Sequence, residues 1–158
     1  MKKSTLKRIQ KRINNLPSYF VDSSVFIEAL FRQKRSGECR SFFHKAGLKY
    51  RIFTSTVVMG EVIKAINKLP SAEAKEEEMH LLADMLKSLD IVIMAVSFAC
   101  INNVEAVRFS DSYLGSSDCI IFSSAVTENC NAFITLDIDF TDKLSKDFKM
   151  LIKNPENI

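Results

Sequence analysis

The stretch that most limits what this chain can become is Tyr19-Phe20-Val21-Asp22-Ser23-Ser24-Val25-Phe26-Ile27-Glu28-Ala29-Leu30. A short apolar run ends on an acid, two serines follow, and an apolar helical pattern begins. This reads as a strand feeding a helix, with Asp22 at the strand's carboxyl end. Open α/β sheets build their ligand crevices along that edge. The same alternation recurs down the chain. Short apolar runs near 18–21, 50–53, 90–95, 132–136 and 148–152 alternate with helical patterns near 23–31, 38–46, 57–69, 71–89, 97–107, 118–127 and 141–145. Short strands joined through helices imply right-handed crossovers. The expected fold class is therefore α/β, a three-layer sandwich with a central mainly parallel sheet and helices on both faces.

The chain has 158 residues and 47% hydrophobic content, enough for one domain with a full core. Its net charge of +3 is unevenly spread: Lys2, Lys3, Lys7, Arg8, Lys11 and Arg12 precede the first acid, Asp22. Residues 1–17 thus read as a basic N-terminal arm, with helical turns around Leu6, Ile9 and Ile13, and residues 18–158 as the folded domain. An arm of this charge suits a polyanionic partner, or serves only as a solvated, solubilising tail. The four cysteines, at 39, 100, 119 and 130, have no CxxC spacing and mostly fall in apolar helical patterns. They read as buried thiols of a reducing compartment rather than a disulfide or zinc framework. The longest apolar run, Ile91–Ile101, is well short of the roughly 20 residues that span a bilayer. No membrane association and a cytoplasmic location are expected.

Four acids stand in comparable local settings. Asp22 and Asp137 follow apolar strands, Asp118 opens an apolar helix, and Glu61 lies inside one. Each has an ordinary structural explanation. Asp22 would cap the helix that follows it. Glu61 would sit on a helix edge beside Lys64 or Lys68. Asp118 would favour a helix N-terminus electrostatically, and Asp139, two residues beyond Asp137, would make a turn. Their joint order points elsewhere, because a parallel sheet brings such positions to one edge. Bare carboxylates about 5 Å apart repel by roughly 3 kcal/mol at an effective dielectric near 20. A cation offsets that repulsion, and oxygen ligands without clustered His or Cys select Mg²⁺ or Mn²⁺. The acid run at Glu76-Glu77-Glu78 reads differently, as the solvated face of an amphipathic helix. Ala74, Met79, Leu81, Leu82, Met85, Leu86 and Leu89 are expected to face inward there. Phosphate-loop patterns, GxGxxG or GxxxxGK[ST], are absent.

The ordered acids resemble those of the PIN-domain nucleases, which include the VapC toxins. The resemblance rests on Val21-Asp22-Ser23-Ser24, Thr54-Ser55-Thr56 leading to Glu61, Asp118 with Ala125, and Thr135-Leu136-Asp137 followed by Asp139-Phe140. It covers nearly the whole chain from residue 18, with Ser24 where many relatives have Asn. It implies a PIN-like, Rossmann-like sheet, bound Mg²⁺ or Mn²⁺, and hydrolysis of RNA phosphodiester bonds. Asp22, Glu61, Asp118 and Asp137, with Asp139 as a further candidate, would be metal ligands and catalytic groups. Ser23 and Thr135 would orient them, and Arg32, Lys34 and Arg35 would contact the RNA backbone. An antitoxin protein and a second copy of the chain are the implied partners. The alternative expectation is a PIN-like module that binds RNA or protein without cutting.

Overall fold

The structure, a computed structural model, describes residues 15–158. The basic arm lies almost wholly outside the described residues, as do the helical turns expected around Leu6, Ile9 and Ile13. Five strands form one sheet in the order β3-β2-β1-β4-β5. They are β1 (Ser18–Val21), β2 (Arg51–Ser55), β3 (Val92–Met94), β4 (Ala132–Ile134) and β5 (Leu151–Lys153). Every pairing is parallel, so the expected mainly parallel sheet is wholly so. The connections hold α1 (Ser23–Leu30) and α2 (Ser36–His44), then α3 (Thr56–Ile66) and α4 (Ala72–Ser88), then α5 (Phe98–Ser110) and α6 (Ser116–Thr127), then α7 (Asp142–Phe148).

Strand order reverses between β1 and β4. The chain steps outward from β1 to β3, crosses back to β4, and steps outward again to β5. With right-handed crossovers the first two connections cover one face and the last two the other. A crevice opens where the two directions diverge, at the carboxyl ends of β1 and β4. Phe20 and Phe133 are paired across those two strands and stack at 5.6 Å. Phe122 from α6 meets Phe133 edge-on at 5.2 Å. Such ring pairs add about 0.5–1.5 kcal/mol each beyond their burial. The ladder continues one residue past β1, where the Asp22 N–H donates to the Ile134 carbonyl at 3.0 Å.

Two expectations are corrected. The second strand begins one residue late and runs on through Thr54 and Ser55, both buried. The Thr54 hydroxyl donates to the Val21 carbonyl at 3.0 Å, which satisfies a polar group that would otherwise mark a loop. On α4, only Leu82 of the expected inward set is fully buried, while Met79 and Leu81 are each 38% exposed. This helix packs on α1 and α3 rather than on the sheet, so a narrow stripe suffices.

The four cysteines are free and buried, and burial pushes the thiols of Cys39 and Cys130 up to about 11 and about 12. Among the described residues no helix is long and apolar enough to cross a membrane.

Candidate active site at the carboxyl edge of the sheet

Asp22 occupies the capping position of α1, but its side chain makes no capping bond. It is buried and turns toward hydroxyls instead. Its Oδ2 accepts from Ser24 Oγ at 2.7 Å and from Thr135 Oγ1 at 2.9 Å. Burial pushes this carboxyl above its ordinary value, and the two hydroxyls act in the opposite direction. Thr135 does more than hold Asp22. Its Oγ1 also accepts from the Asp137 N–H at 3.0 Å, so one hydroxyl links the chain leaving β4 to the end of β1. Ser24 reaches across as well, accepting from the Leu136 N–H at 3.1 Å.

Glu61 reaches the same edge from α3. That helix starts there because Ser55 caps it, accepting from the Val58 N–H at 3.3 Å. Glu61 does not pair with Lys64 or Lys68. Ser23 Oγ donates to its Oε2 at 2.6 Å, and Ser117 Oγ at the start of α6 donates to its Oε1. Ser23 also lies 3.5 Å from Asp22 Oδ1. Its single proton belongs with Glu61, the much shorter contact.

Asp118 stands in the first turn of α6 and folds back over Gly115. A Cβ at position 115 would lie 2.8 Å from Asp118 Oδ2, so the absent side chain leaves room for the carboxylate. The carboxyl of Asp118 is raised above its ordinary value by burial first, then by the charges of Asp22, Glu61 and Asp137. These three acids, from distant parts of the chain, therefore stand within electrostatic reach of the fourth. Among the described residues the ion pairs formed are those of Arg35, and no cationic side chain pairs with any of the four.

Asp139 is exposed, and its N–H donates to Asp137 Oδ1 at 2.9 Å, the turn geometry that a short acid favours. It is not among the charges raising Asp118. The basic loop is not brought to the acids. The eight residues of α1 carry the chain about 12 Å away before Arg32, Lys34 and Arg35. Arg35 there bridges Glu38 at 2.8 Å and Glu156 at 3.3 Å, and Arg32 lines an apolar cavity against α4. Sequence reasoning gave no role to Ser117. A serine just before an acid at a helix start carries no local sign of a partner 56 residues away.

Among the described residues, no three His, Cys, Asp or Glu side chains are already drawn together as a set of metal ligands. The electrostatic coupling at Asp118 does not conflict with this. Charges act over several ångströms, whereas ligation requires oxygens about 2.0–2.6 Å from one point. By charge and donor chemistry the residues fit a hard cation: four carboxylates, Asp22 and Glu61 oriented by hydroxyls, with no cationic side chain among the described residues to neutralise them.

Comparison with known proteins agrees with this geometry. The family model for the PIN domain matches residues 19–144, which includes all four acids and runs from Tyr19 of β1 past β4. This chain belongs to the PIN-domain family. Among solved structures, VapBC2 from Rickettsia felis, bound to a DNA fragment from its promoter, superposes with a TM-score of 0.68 at 17% identity, covering 87% of this chain and 98% of that one. FitAcB from Neisseria gonorrhoeae gives 0.65 at 13% identity, covering 89% and 99%. The Mycobacterium tuberculosis toxin VapC20, described as cleaving the sarcin-ricin loop, gives 0.60 at 18% identity, covering 77% and 92%. No curated protein matches the chain by sequence. The PIN membership and the VapC-like fold agree with the resemblance carried by the sequence motifs, and a nuclease is the activity that goes with the family.

Proposed function

We propose that this PIN-domain protein is a metal-dependent endoribonuclease, working with Mg²⁺ or Mn²⁺ and acting as the toxin of a toxin–antitoxin pair. The observation that carries the reading is Asp22. It is a buried carboxylate at the point where the strand order reverses, it acts with Glu61 and Asp137 on the charge of Asp118, and among the described residues no cationic side chain pairs with it. Asp22, Glu61, Asp118 and Asp137 would hold the cation. When bound, it lowers the pKa of a water and withdraws charge from the phosphate under attack.

The chain's own hydroxyls do the positioning. Thr135 and Ser24 fix Asp22, Ser23 and Ser117 fix Glu61, and Thr135 sets the backbone of Asp137. RNA as substrate is supported by the likeness to VapC20, and an antitoxin partner by the likeness to VapBC complexes. The basic residues of the arm would add sequence-independent contacts to phosphates.

The test is cleavage of labelled single-stranded RNA with Mg²⁺ or Mn²⁺ and with chelator, for the wild type and Asp22→Asn. Cleavage should need the metal. The Asn protein should lose on the order of a hundredfold or more, the scale of removing one group that stabilises transition-state charge. Cleavage that survives chelation, or that Asp22→Asn leaves untouched, overturns the proposal.

A further inference from the structure

Beside the acids, on the β5 side, a cavity of about 610 Å³ opens at the carboxyl edge of the sheet. Thr135 and Asp137 form part of its wall, so it is continuous with the acidic edge. Ile138, Asp142 at the start of α7, and the segment Lys153-Asn154 with Asn157 also line it. The wall is braced from outside, since Thr141 donates to Asp111 Oδ2 at 3.1 Å.

We propose that this cavity seats an unpaired RNA base, that of the nucleotide adjoining the scissile phosphate, and that Lys153, Asn154 and Asn157 determine which base is preferred. The inference rests on the nuclease reading. Place is the first argument, because any phosphate handled at Asp22 and Asp137 leaves its neighbouring base within reach of the wall they share. Charge is the second. With Asp137 given over to the cation, Asp142 and Lys153 balance, so the rest of the wall carries no net charge and suits a neutral base better than a further phosphate.

Hydrogen-bonding chemistry is the third argument. Asp142 only accepts, Lys153 only donates, and the two asparagine amides do both. That mixture matches the donor and acceptor pattern on a base edge, whereas a phosphate offers acceptors alone. Ile138 is 91% exposed, one residue from Asp137, and presents an aliphatic surface to the face of a base. Proteins that select single-stranded RNA read splayed bases in this way, by face contact and edge hydrogen bonds.

The experiment sequences the cut ends of a random single-stranded RNA pool for the wild type, Asn154→Ala, Asn157→Ala and Lys153→Ala. In parallel, Asp22→Asn protein is photocrosslinked to thiouridine-bearing RNA and the crosslinked peptides are mapped. The wild type should show a preferred base at a position flanking the cut. At least one pocket variant should weaken that preference about tenfold, with a smaller effect on total cleavage. Crosslinks should fall within residues 138–157. Preference unchanged in all three variants overturns the inference while leaving the nuclease reading intact. Absence of cleavage by the wild type sinks the nuclease reading instead. The crosslinks then decide the pocket on their own: within 138–157 they support it, and only elsewhere they overturn it.

Discussion

At the scale of single residues, the site is organised by hydroxyls as much as by acids. Thr135 Oγ1 donates to Asp22 and accepts from the Asp137 N–H, so it serves two acids that follow different strands. Thr135→Val keeps the shape of the side chain but removes both bonds, leaving the Asp137 N–H without its acceptor and Asp22 Oδ2 with Ser24 alone. The expected cost is about 1–3 kcal/mol, with a clear fall in cleavage. Thr135→Ser, which retains the hydroxyl, should recover most of that activity, and denaturant melts with matched cleavage assays would show whether it does.

Asp118 illustrates the opposing pressure, since its carboxyl is raised by burial and by three neighbouring charges. In metal-free protein, an acid raised in the folded state contributes its stability below the ordinary carboxylate value. That contribution is lost as pH rises through the raised value. Asp118→Asn should therefore stabilise the metal-free protein near neutral pH, by about 2–4 °C in Tm if the gain is about 1 kcal/mol. It should abolish cleavage, and its stabilising effect should shrink as the pH is lowered toward 4. A variant less stable than the wild type at pH 7 would show that the neighbouring charges are not a burden on the fold.

At the scale of elements, the strand–helix junctions were legible and their polar details were not. The end of β1 could be read from Phe20-Val21-Asp22 because a strand buried on both faces shows as an apolar run. The end of β2 could not, because Thr54 and Ser55 continue the strand while looking like a loop. Thr54 is hidden by a long-range partner, the Val21 carbonyl on the neighbouring strand, whereas Ser55 closes the strand locally by capping α3. The acids were legible as a set by their placement, but the serines that hold them were only partly so. Ser23 adjoins Asp22 in sequence, whereas Ser117 meets Glu61 only in the folded chain. On α4 the apolar spacing predicts a broad buried face, and Met79 and Leu81 depart from it because that helix lies on other helices. The role given to Ser55 has a direct check. Ser55→Ala removes the cap of the helix that carries Glu61 and should cost about 1 kcal/mol. Cleavage should fall by less than in Asp22→Asn, since Glu61 keeps both serine contacts. A thermal melt unchanged from the wild type would rule the cap out as a stabilising feature.

At the scale of the whole molecule, α5 leaves a surface that the described residues do not cover. Phe98 is 81% exposed and Phe109 92% exposed. Eleven residues apart, they return to within about 20° of the same helix face. Ile101 and the neighbouring Tyr113 are also exposed. Single exposed apolar residues need no explanation, but large rings aligned on one helix face mark a contact surface. A second copy of the chain is the proposed cover, because a two-fold axis lays the same stripe against itself and buries both sets of rings at once. Wild-type protein should run at the mass of two chains in size-exclusion chromatography with light scattering. Phe98→Asp combined with Phe109→Asp should give the mass of one, with far-ultraviolet circular dichroism unchanged because neither ring belongs to the core. A double variant that keeps the wild-type mass would exclude this face as the contact. A wild type already at single-chain mass, at concentrations up to about 100 μM, would limit any pairing to affinities weaker than about −5.5 kcal/mol.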